Sequence, residues 1–155
     1  MKRRWFIYVV VGILFGVFDF YLPGIFPHLS INSYFIGFGF YFGIWLVPII
    51  PIILYEAEVS RSRLLPALAS SLTWCISVIV YYITNALQIA IGISALPYLS
   101  ISNHDSPFFW TNWKSELSSL LTNTFEWIVF AVVSGMIVGF LVSFIYLFVR
   151  RLLQK

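Results

Sequence analysis

Eight of the nine basic residues in this chain fall in three short clusters, and long apolar runs separate them. Lys2, Arg3 and Arg4 precede the first run. Arg61 and Arg63 divide the second from the third. Arg150, Arg151 and Lys155 follow the fourth, and Lys114 stands apart. Cytoplasmic segments of membrane proteins retain Lys and Arg. The alternation therefore predicts a multi-pass protein of the cell membrane with four crossings and both termini cytoplasmic.

Composition agrees with that reading. Of 155 residues, 61% are hydrophobic and 10% charged, whereas soluble domains carry about 25% charged residues. The basic residues flank apolar runs rather than forming a patch, which argues against nucleic acid as a partner. The partners expected are the lipid bilayer and a second copy of the chain or another membrane protein. The lone cysteine, Cys75, excludes an internal disulfide. A basic start followed by an apolar run also opens a signal peptide. Here the run is longer than the usual signal core and no small-x-small cleavage site follows, so it is expected to stay as a membrane helix.

The predicted fold is all-α: a four-helix transmembrane bundle forming a single domain over 1–155, with helices at about 5–22, 34–54, 67–93 and 125–149. Pro23-Gly24 is expected to end the first helix. Pro48 and Pro51 should kink or unwind the inner third of the second. Residues 55–66 read as an inner loop in which Glu56 and Glu58 face Arg61 and Arg63 as a solvated turn. Residues 94–124 read as an outer loop. Within it, Ser106-Pro107 resembles an N-cap with proline at the first helical position. Phe109, Trp113, Leu117, Leu120 and Leu121 then recur at helical spacing. The pattern predicts a short amphipathic helix at about 107–121, either lying in the membrane interface or packed as a lid on the bundle.

Two patterns organise the interior. Three spans carry glycines four apart: Gly12/Gly16, Gly39/Gly43 and Gly135/Gly139. Small residues at that spacing let helix backbones approach closely in lipid, so these six are expected at helix contacts, either within the bundle or in a homo-oligomer interface. On the third span, Ser70, Thr73, Ser77, Tyr81, Thr84 and Gln88 form one polar stripe, with Asn85 at its edge. Such a stripe serves interhelical hydrogen bonding or lines a polar groove. Asp19 falls on the Gly12/Gly16 face, and Glu126 opens the fourth span. Asp19, Tyr81, Thr84, Asn85, Gln88 and Glu126 are therefore the candidate binding residues, an outward-facing polar cluster able to hold a cation or an amine if they converge.

No catalytic spacing is present. His28, His104, Asp105 and Glu116 lack the intervals of a metal site. No hydrolase, phosphate-binding or dinucleotide motif occurs. No cofactor is expected. The leading expectation is a non-enzymatic accessory or assembly subunit acting through helix–helix contacts. The alternative is a small oligomeric transporter or channel using the polar cluster. An intramembrane enzyme with a lipid substrate ranks third.

Overall fold

A computed structural model of the chain describes residues 2–25, 34–93 and 96–154. His28 lies outside the described residues. Four helices make up the fold: α1 (Lys2–Ile25), α2 (Tyr34–Ser60), α3 (Leu64–Ala90) and α4 (Phe109–Leu153). No strand occurs among the described residues. All four helices are long and apolar enough to cross a membrane. At 1.5 Å per residue the shortest spans about 36 Å, against a hydrocarbon core of about 30 Å.

Three of the four helices are longer than the sequence pattern suggested, and α3 is shifted, running Leu64–Ala90 against the expected 67–93. Pro23 lies inside α1, which continues to Ile25. Pro48 and Pro51 lie inside an α2 that stays helical to Ser60. Each proline deletes one backbone donor, but unwinding further would expose several unpaired polar groups to lipid at several kcal/mol each. The helix keeps the smaller loss. The inner loop therefore shrinks to Arg61, Ser62 and Arg63. Arg61 takes a left-handed φ of 54° to reverse the chain. The Ser62 Oγ accepts hydrogen bonds from the Leu64 and Leu65 amides at 3.2 and 3.5 Å, starting α3.

At the other end, α3 closes with Gly92 at φ +78°. The Gly92 amide donates to the Ile89 carbonyl and the Ile93 amide to the Gln88 carbonyl, the paired bonds of a Schellman cap. A Cβ on Gly92 would lie 2.8 Å from the Ser100 Oγ, so packing as well as φ requires glycine.

The separate interfacial helix expected at 107–121 is not formed. Residues 109–121 belong instead to α4, a single helix of 45 residues, about 67 Å long. The polar run Thr122-Asn123-Thr124 does not interrupt it. Thr122 and Thr124 donate back to the Ser118 and Leu120 carbonyls, one turn earlier, and so satisfy themselves within the helix. Ser106-Pro107 forms a turn ahead of the helix rather than its cap. The helix begins at Phe109, whose amide bonds to the Ser106 carbonyl. Two short 3-10 turns, Pro97–Leu99 and Ile101–Asn103, fold back between α3 and α4. There Leu99, Ile89 and Leu120 make a small core. The Trp113 Nε1 donates to the Leu99 carbonyl at 2.7 Å.

Helix α3 is central, with its most extensive packing against α4 and α1. Its small and hydroxylated residues are inside: Ala67, Ala69, Ser70, Thr73 and Ser77 are buried. Large apolar side chains such as Phe6, Leu14, Val47, Ile83, Leu87 and Ile137 point outward. That inversion of soluble-protein patterning suits a lipid surround, where close approach of backbones drives association.

The start of α1, the α2–α3 turn and the end of α4 meet at one end, the basic end. There Glu56, fully buried on α2, receives two bonds of 3.2 Å from the Arg4 guanidinium and one of 2.5 Å from the Tyr8 hydroxyl, both on α1. Glu58 turns the other way. It pairs with Arg150 and takes a 2.5 Å hydrogen bond from Tyr146, both on α4, with Arg61 at 3.7 Å. The Arg63 guanidinium lies over the Phe144 ring, 4.5 Å from its centroid. The expected solvated turn is thus two ionic clusters. Residues two apart on a helix point about 200° apart, so Glu56 and Glu58 tie α2 to different neighbours.

Candidate functional site

The six glycines expected at helix contacts divide. A Cβ on Gly12 or Gly16 would sit 2.7 and 2.5 Å from the Thr73 and Ser77 carbonyl oxygens, so α1 lies directly on the α3 backbone. Gly135 and Gly139 lie as close to Ser71, Ser70 and Ala67. Gly39 and Gly43 on α2 have nothing among the described residues within 4 Å of such a Cβ.

The polar stripe on α3 also divides, by depth. In its basic half it serves packing. The Ser70 Oγ donates to the Gly135 carbonyl at 2.7 Å, and Thr73 donates to the Ala69 carbonyl at 2.9 Å. Ser77 is buried beneath Gly16. One turn further along, the packing opens into a cavity of about 100 Å³ lined by Asp19, Trp45, Val78, Tyr81, Tyr82 and Trp127. All four helices contribute a wall.

Asp19 is brought there by the glycines. The Gly12/Gly16 face presses on α3, and Asp19 continues that face about one turn beyond, so the carboxylate enters the bundle at 3% exposure. The Trp45 Nε1 donates to its Oδ1 at 3.1 Å. Among the described residues no Lys, Arg or His pairs with it. Trp45 is the hub of the site. Besides Asp19 on α1, its carbonyl accepts the Trp74 Nε1–H from α3 at 2.9 Å. Its ring lies 6.0 Å from that of Trp127 on α4, tilted by 48°. Tyr81 and Tyr82 set a second corner, with rings 5.2 Å apart and 71° between their planes.

Of the six candidate binding residues, the cavity brings together Asp19 and Tyr81. Thr84 donates to the Val80 carbonyl on its own helix. Gln88, two turns beyond Tyr81, reaches outward to the Tyr21 hydroxyl at 2.6 Å. Asn85 is half-buried between them, and Glu126 is exposed on α4 beside Trp127. None of these four lines the cavity. Trp45, Tyr82 and Trp127 do, and the polar pattern did not point to them. His104 lies 3.2 Å from Asp105, both exposed. Glu116, on α4, is half-buried.

Comparison with protein-family models, with curated proteins and with solved structures gives no match to this chain. An ionised carboxylate in the cavity is costly unless a counter-charge or a proton accompanies it. The described residues supply one hydrogen bond and four aromatic rings. The arrangement can accept a positive charge from outside the chain.

Proposed function

We propose that this chain is a small transporter or channel whose charge-binding residue is Asp19. The supporting observation is the buried carboxylate facing a cavity that all four helices line, with no cationic side chain beside it among the described residues. Intramembrane acids of this kind mark ion, proton or substrate paths. The retention rule for Lys and Arg puts the basic end in the cytoplasm. The cavity then lies in the outer half of the bundle, since Asp19 is about 22 Å along α1 from Arg4.

The test is flux in proteoliposomes. A proton or solute flux seen with the natural chain should fall at least about tenfold in Asp19→Asn, while Gln88→Leu, altered at a position off the cavity, should leave it unchanged. Equal flux in the natural chain and Asp19→Asn refutes the assignment.

A second reading, an assembly subunit, is favoured by the α2 glycines. The other two pairs are used inside the chain, whereas Gly39 and Gly43 meet nothing among the described residues. That pair suits close contact with a second copy of the chain. Photobleaching steps counted in single nanodiscs should drop to one in Gly43→Leu if this contact holds an oligomer. An unchanged step count counts against it.

A further inference from the structure

We infer that the Asp19 cavity takes a small methylated ammonium ion, an inference that rests on the reading of Asp19 as a charge-binding residue. The wall chemistry selects the class. Calcium asks for six to eight oxygen ligands, and magnesium for an octahedral set. Among the described residues the cavity lining is one carboxylate, two tyrosines, two tryptophans and a valine. Among the described residues no three His, Cys, Asp or Glu side chains gather to suit a transition metal. A hydrated inorganic ion would exchange its water for aromatic carbon.

An ammonium ion whose hydrogens are replaced by methyl groups has the opposite needs. Its charge is spread over an apolar skin, it has no donors to satisfy, and it binds against the faces of Trp and Tyr rings. Trp45 with Trp127, and Tyr81 with Tyr82, form two angled aromatic corners. Asp19 supplies the net charge. Trp45 fixes the carboxylate by its Nε1–H, so the same indole that orients the acid also forms part of the wall. Size points the same way. About 100 Å³ is well under the roughly 300–1,000 Å³ of pockets for drug-sized ligands, and fits a compact headgroup.

The experiment titrates tetramethylammonium chloride into the full chain in a non-ionic detergent, with ionic strength held constant by sodium chloride. Binding is followed by tryptophan fluorescence and by calorimetry. Saturable binding is expected, with sodium and potassium giving none. Asp19→Asn should weaken it at least about tenfold. Trp127→Leu should weaken it about 3- to 30-fold, the span of cation–π energies expressed as affinity. Trp127→Phe, which keeps an aromatic face, should fall between the natural chain and Trp127→Leu. Should Asp19→Asn fail to fold, the Trp127 pair decides. Absence of saturable binding overturns the inference, as does equal binding by Trp127→Leu and the natural chain, or full competition by sodium. If tetramethylammonium does not bind but flux still depends on Asp19, the ligand class is wrong and the transport reading stands. If it binds and no flux is found, the site is real and the transport reading falls.

Discussion

Gly139→Leu is expected to abolish recovery of folded protein. Even the first added carbon would lie 2.3 Å from the Ser70 Oγ and 2.6 Å from the Ala67 Cα. The hydroxyl cannot simply rotate away, because it holds the Gly135 carbonyl at 2.7 Å. The Cα is backbone, so α3 and α4 must separate. Overpacking costs about 1–3 kcal/mol where side chains can yield, and more where backbone must move. Size-exclusion chromatography in mild detergent should show aggregate in place of a single peak. Gly43→Leu, made where nothing among the described residues is within 4 Å, should keep the fold. A monodisperse Gly139→Leu protein melting within a few degrees of the natural chain would show that the α3–α4 contact is looser than described.

Arg4→Ala should destabilise the fold by about 3–5 kcal/mol, the usual cost of leaving a buried partner charge uncompensated. Glu56 has no exposed surface, whereas the Arg4 side chain is 22% exposed. The two partners are therefore not equivalent. Glu56→Gln leaves Arg4 able to reach water and keeps an acceptor for the Tyr8 hydroxyl, so it should cost less, about 1–2 kcal/mol. Replacing both partners with Arg4→Met and Glu56→Leu should restore most of the loss, because no buried charge is left. Thermal unfolding followed by circular dichroism gives all three. If Arg4→Ala and Glu56→Gln melt alike, the carboxylate is reaching water by another route.

The four long helices were legible because composition and the placement of Lys and Arg act over whole segments. Their ends were harder to read. Pro23, Pro48 and Pro51 usually stop helices in water, but an apolar surround penalises exposed backbone more than one missing bond. Gly92 was a readable stop signal that the apolar run to Ile93 obscured. Glu56 was hidden by assigning it to a loop, although its two-residue offset from Glu58 sends it to the opposite face once the helix continues. Asp19 could be found from its register with Gly12 and Gly16. Its aromatic neighbours could not: with 16 Phe, 9 Tyr and 6 Trp in the chain, nothing local distinguishes Trp45 or Trp127 from rings that face lipid. The polar stripe was real as a face, yet only tertiary packing decides where along that face the helices part.

The continuity of α4 has a mechanical consequence. From Phe109 to Ser134 it contains neither glycine nor proline, so it has no built-in point of bending. It lies directly against the α3 backbone at Gly135 and Gly139. A stiff rod held there behaves as a lever, with Gly135 as fulcrum and an arm of about 39 Å out to Phe109. Trp127 rides on that arm about 12 Å from the fulcrum, so it travels about a third as far as the tip. A push on the tip, delivered through the Pro97–Asn103 segment that grips it, would swing Trp127 relative to Trp45 and change the width of the chamber beside Asp19.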